Sequence, residues 1–161
     1  MTNVPDDAPI DVAELAKKSS VSWIRAGAET YPVWHEWVET EANGVTEWAI
    51  CVVGSAERGG SEQQLPPLRN GDMAVVLLRS KTDRQLAAAV PIVVDVVEPG
   101  SVLWDPVTAA LKAGRLNAPD LHTMVDRWAR ECRVLRLVPS GAATAAADLN
   151  EVHPRTAPRL S

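Results

Sequence analysis

The chain has 161 residues, 46% hydrophobic and 23% charged, which are the proportions of one globular domain and exclude wholesale disorder. Its net charge of −5 excludes the basic surface of a general nucleic-acid binder. No apolar run approaches the roughly 20 residues of a membrane helix. The opening MTNVPDDAPIDV also lacks the basic-then-apolar order of a secretion signal, so a cytoplasmic protein is expected.

The two cysteines, Cys51 and Cys132, lie far apart in apolar surroundings and outside any CxxC. They read as buried thiols, with no metal or redox chemistry implied. Six Trp stand against one Tyr and no Phe. Trp combines a large apolar area with one N–H, so this bias implies a Trp-rich core or a surface for a flat ligand.

Residues 1–9 read as a flexible arm. Asp11 reads as an N-cap with Glu14 three residues on, opening a short helix that ends near Ser19. VSWI is a first strand. YPVWHEWVE is a second, with Val33, His35 and Trp37 on one side and Trp34, Glu36 and Val38 on the other. Asn43-Gly44 is a hairpin turn. TEWAICVVG then reads as a strand buried on both faces. The loop SAERGGSEQQLPPLRNGD is long for a compact domain, and loops of that kind are often binding elements or flaps. MAVVLLRSK is a further strand. In QLAAAVPIVVDVVE the internal Pro91 points to an edge or a bulge.

Ser101 is expected to cap a helix that Pro106 kinks and Gly114 ends. Asp120 is expected to cap a second helix with Leu121, Met124, Val125 and Trp128 on one face. CRVLRLVP closes the domain as a strand, with Arg133 and Arg136 outside its apolar set. The resulting organisation is an arm at 1–9, one α+β domain at 10–140, and a disordered tail at 141–161.

The series WHEW, EQQLPPL, VVLLRSK, RLNAPD and RWARECRVLRLVP resembles actinobacterial members of the pyridoxamine 5′-phosphate oxidase-like, FMN-binding split-barrel family. The resemblance spans about residues 12–140 as a loose pattern. It implies a split antiparallel barrel of about six strands with peripheral helices. It also implies a homodimer and FMN or a deazaflavin held between subunits, with an oxidoreductase reaction among the expectations. Relatives hold the cofactor phosphate with a Ser/Arg/Lys cluster at a strand end, and Arg79, Ser80 and Lys81 are the nearest match, in a different order.

Chemically, Arg79, Ser80 and Lys81 offer the charge and directional donors a phosphate needs, though any strand entering a turn tends to end in solvated charges. His35 between two tryptophans reads as a structural histidine rather than a proton donor. Trp34, Trp37 and Trp48 could form an aromatic wall, but alternation sets Trp34 and Trp37 on opposite faces. Glu62 to Pro67 could cover a pocket or be an ordinary solvated connection. Of Trp128, Arg130 and Arg133, the first reads as a buried anchor and the others as solvated charges. No catalytic residue and no metal site emerges. Three functions stay open: a flavin or deazaflavin binder, a non-catalytic binding or assembly module that has lost the cofactor, and a binder of another flat ligand such as haem.

Overall fold

The computed structural model describes residues 10–55, 60, 62–80, 85–115 and 120–145. Helix α1 (Val12–Lys18) opens as expected, the Asp11 carboxylate accepting from the Glu14 N–H at 3.1 Å. Strands β1 (Val21–Ala26), β2 (Glu29–Trp34), β3 (Glu36–Ala42) and β4 (Val45–Gly54) follow, then β5 (Met73–Arg79) and β6 (Leu86–Val97). Helices α2 (Trp104–Ala113) and α3 (Met124–Glu131) lead to β7 (Arg133–Pro139) and the short β8 (Thr144–Ala145).

All strand pairs are antiparallel, and the sheet runs β2-β1-β5-β6-β7-β4-β3, with β8 beside β6. The two ends of that order, β2 and β3, are consecutive in the chain and separated by His35 alone. A flat sheet would hold its edge strands several strand spacings of about 4.8 Å apart. One residue cannot span such a gap, so the sheet must curl until its edges meet. The concave face confirms the curl. Val33 of β2 packs in one cluster with Ile50 and Val52 of β4 and with Leu135 and Leu137 of β7. This is an α+β fold whose antiparallel sheet forms an open, split barrel with its helices outside.

The single strand expected over YPVWHEWVE is therefore two strands that pair at opposite ends of the sheet. The alternation persists through the junction. Val33 and Trp37 face the inner cluster, while Trp34 and Val38 face an outer one formed with Trp104, Val107, Leu111, Met124 and Trp128. The chain turns between partners without changing its pleat.

His35 fixes this junction. Its ring is buried, with Nε2 3.0 Å from the Ala16 carbonyl and Nδ1 3.0 Å from Ser22 Oγ. A carbonyl only accepts, so Nε2 carries the hydrogen and Nδ1 accepts from the Ser22 hydroxyl. The His35 N–H donates to Ser20 O at 2.9 Å, tying the junction to the α1–β1 link.

Other expectations meet a physical correction. Asn43 and Gly44 have φ of 54° and 77°, the hairpin geometry their sequence implied. Strand β4 is buried only from Ala49 onward, because its first four residues project with the hairpin. Pro91 lies on a central strand rather than an edge. There the second neighbour of β6 is interrupted between β7 and β8, and Ser140 N–H reaches the Pro91 carbonyl at 2.8 Å. The missing N–H faces that interruption, where no ladder bond is lost. The bulge in the β5–β6 pair falls instead between Leu78 and Arg79.

Helix α2 starts at Trp104, not after Ser101. This puts Pro106 in its first turn, where no intrahelical donor is needed and no kink follows. Gly114 is the C-cap with right-handed φ, and its role is close packing: a Cβ there would strike the Glu36 carboxylate. Asp120 caps nothing with its side chain. Helix α3 starts later, after Thr123, and the Asp120 carboxylate pairs with Arg127. Of the expected tail, residues 144–145 form β8, and residues 146–161, like 1–9, lie outside the described residues.

Burial holds the His35 pKa below its ordinary 6.5, with the Ala16 carbonyl opposing weakly. The unfolded chain takes up a proton near 6.5 and the folded chain only at lower pH. This contribution to stability is therefore complete above 6.5 and is lost as pH falls through the folded value. Glu36, raised by burial, has the opposite slope, so the comparison must be differential. Denaturant titrations between about pH 7.5 and 5.5 should show a fall in wild-type stability that is missing from His35→Gln. Parallel curves would show that His35 is not buried neutral.

Candidate functional site

Three polar groupings stand out once the strands are placed. The first gathers the residues singled out at the end of β5. The bulge after Leu78 re-aims Arg79, whose guanidinium lies 5.8 Å from the Trp23 ring centre on β1. Ser80 follows, its N–H donating to Gln85 O at 2.8 Å. Both line a hollow of about 460 Å³ whose other wall is Lys18, Ser19, Ser20, Val21 and Trp23. Lys81 lies outside the described residues.

Two cations, three hydroxyls and an indole thus border one depression. Glu14 meets Lys18 at 2.5 Å, but both side chains are more than half exposed, and such a pair is cheaply exchanged for another anion. The hollow has the chemistry to take a phosphate monoester at its rim and a flat group against Trp23. Sequence reasoning missed Lys18, Ser19 and Ser20. The run KKSS at the helix end was the available signal, and only the β1–β5 pairing brings it opposite Arg79.

The second grouping resolves the EQQLPPL loop. Glu62 is 4% exposed and accepts from Arg115 at 2.7 Å, from Arg127 at 3.1 Å and from Trp128 Nε1 at 3.0 Å. Gln63 accepts from the Trp34 N–H at 2.6 Å and donates to the carbonyls of Trp34 and Val53 at 2.9 and 3.1 Å. Leu65 and Leu68 enter the inner core. The described part of this loop is neither a flap nor a solvated connection. It clips β2 to β4 across the split and ties both to α2 and α3.

The third is an ion cluster on the outer face. Arg136, read as lying outside the apolar set of its strand, is 4% exposed and meets Asp95, Glu47 at 2.5 Å and Thr40 at 3.4 Å. Its row neighbour Cys51 is fully buried, which pushes the thiol up to about 12 and makes it inert as a nucleophile. No disulfide joins it to the half-buried Cys132. Trp128 is buried as expected, Arg130 is exposed, and Arg133 is half-buried.

The tryptophans divide as the alternation required. Trp37 and Trp48 stack at 5.6 Å and 9°, with Lys17 5.3 Å from the Trp48 ring centre. Trp34 faces the other way under Arg115, at 5.2 Å. They form no single wall. His35, with both ring nitrogens engaged, is not available to a metal or to haem iron. Among the described residues no group of His, Cys, Asp and Glu could hold a metal ion, and no helix is long and apolar enough to cross a membrane.

No protein-family profile matches the chain, and no curated protein matches it. Among solved structures it is similar to HutZ, the haem storage protein from Vibrio cholerae, with a TM-score of 0.49 and 15% identity over 90% of this chain and 95% of that one.

Removing Glu62 leaves two guanidinium groups and an indole N–H without their shared acceptor. Glu62→Ala should destabilise the protein by about 2–3 kcal/mol in chemical denaturation. A loss under about 0.5 kcal/mol would mean that the loop is not clipped in solution.

Proposed function

We propose that this chain is a split-barrel ligand-binding module with no acid–base chemistry of its own. Its ligand is a phosphorylated flat cofactor, FMN or a deazaflavin, held at the Arg79 hollow. One observation carries the reading: Arg79 and Ser80 share one hollow with Lys18, Ser19, Ser20 and the Trp23 ring. Arg79 and Lys18 would meet the phosphate with charge and the serines with hydroxyls, while Trp23 would back the ring. Lys81, next in the chain, would extend the cationic rim. A bound flavin would supply any hydride chemistry, and these side chains would bind and orient it.

The absence of a catalytic role is supported by where the buried polar groups are spent. His35, Glu62, Gln63 and Arg136 each bond to partners that hold the barrel together. A second reading, an assembly module that holds no cofactor, rests on that same observation. Either form would work as a homodimer, for which the exposed Val45 and Trp48 of the β3–β4 hairpin offer apolar surface. A monomeric mass by light scattering would overturn the dimer.

Titration with FMN, followed by Trp fluorescence and the visible spectrum, should saturate. Arg79→Ala should weaken binding by about tenfold, the effect of one charge-assisted contact. Folded protein that binds neither FMN nor a deazaflavin would leave the assembly module. Saturation by hemin alone would replace the phosphate reading with a haem binder.

A further inference from the structure

A second hollow lies away from Arg79, where the end of β6 meets the α3–β7 junction. Its volume is about 330 Å³, at the lower end of the range of small-molecule sites. Arg69 and Asn70 line it from the loop before β5, Glu98 from the β6–α2 connection, Trp104 from the start of α2, and Arg133 from the start of β7. Val97 and Pro99 add apolar surface.

Its polar inventory is lopsided. Neither Arg69 nor Arg133 has an ion-pair partner among the described residues, although the chain carries 21 acidic side chains against 16 basic ones. Trp104 is only 8% exposed, and its ring lines the hollow. The Asn70 Oδ1 accepts from the Val96 N–H at 2.8 Å, which leaves the amide N–H₂ as the unused end of that side chain. Against these donors, one carboxylate, the exposed Glu98, lines the hollow.

The donors stand on backbone that is already fixed. Gly71 N–H donates to Val94 O and Val94 N–H to Asp72 O, both at 2.8 Å, so the loop continues the ladder along β6. The Asp72 carboxylate accepts from the Arg69 N–H at 2.7 Å. On the other wall, Cys132 N–H closes α3 on Trp128 O at 3.0 Å, which sets the position of Arg133. Two guanidiniums without ion-pair partners among the described residues, on a pinned frame, suit an anion, and the apolar wall suits a compact body attached to it.

We propose that this hollow is a second ligand site, separate from the Arg79 hollow, for a small organic anion. Arg69 and Arg133 meet its phosphate or carboxylate, and Trp104, Val97 and Pro99 meet its apolar part. The site does not depend on cofactor binding at Arg79.

The test uses full-length protein, phenyl phosphate as the probe, and two-dimensional ¹H–¹⁵N NMR. The indole cross-peak of Trp104 and the amides of Arg69 and Arg133 should shift saturably, with a dissociation constant of about 1 mM or tighter. Arg69→Gln and Arg133→Gln should each weaken the binding read at the Trp104 cross-peak by about tenfold and Arg133→Lys by less, while Arg79→Ala should leave that titration in place. Arg69 is exposed, so Arg69→Gln decides the matter even where Arg133→Gln fails to fold. Three results would overturn the site: no saturable shift by about 10 mM probe, shifts indifferent to both glutamine substitutions, or shifts abolished by Arg79→Ala. Only the last would place the probe at the other hollow.

Discussion

The structure depends on one covalent fact: the strands at the two ends of the sheet are joined by a single residue. Everything the barrel needs is arranged around that join. His35 is spent on it completely, one ring nitrogen donating to α1 and the other accepting from β1. Because a carbonyl dictates the tautomer, the ring cannot serve at once as a clip and as a proton carrier. His35 is for that reason structural, the role its place between two tryptophans suggests. The same logic explains its burial beside three elements at once: α1, β1 and the β2–β3 corner need a common donor-acceptor group, and imidazole supplies both functions in one plane.

A split barrel held at one corner needs a second tie elsewhere on the seam, and the loop after β4 supplies it. Gln63 replaces a missing strand pairing by bonding side-chain amide to the backbones of β2 and β4, while Glu62 gathers the outer helices. An ordinary loop of this length would pay its ordering entropy without return. Here the apolar anchors Leu65 and Leu68 and six side-chain bonds made by Glu62 and Gln63 offset it. Gly54 is part of the same fit, since a Cβ at that position would meet the backbone of Gln63 and the side chain of Leu65.

The sequence made the local elements legible where short-range chemistry decides them. The Asp11 cap, the Asn43-Gly44 turn and the opposed faces of Trp34 and Trp37 all follow from spacing alone. It could not reveal that YPVWHEWVE is two strands, because a barrel corner that keeps its pleat leaves the alternation intact. Pro91 misled for a related reason: proline forbids a ladder bond, and nothing local says that a central strand changes neighbours at that residue. The run CRVLRLVP set Arg136 apart from its apolar residues but could not show that the side chain is buried. Its acidic partners, Glu47 and Asp95, come from strands on either side of β7. Of the hollow at the end of β5, Arg79 and Ser80 were visible as a cluster, whereas Lys18, Ser19, Ser20 and Trp23 joined them only through the β1–β5 pairing.

Where ligand chemistry can occur then follows from where the barrel has finished using its polar groups. Inside the seam and across the outer face, the main buried charges and amides hold strands or helices in place, and moving one would loosen the fold. At strand ends the ladder stops, while a bulge or a pinned loop still fixes the backbone. The end of β5 and the meeting of β6 with β7 are two such places, and both carry cationic donors on a chain whose overall charge is negative. Net charge repels anions weakly at long range, and over a Debye length of about 8–10 Å that repulsion is screened. At contact distance the local guanidiniums decide, so the anion sites proposed at the strand ends are compatible with an acidic chain.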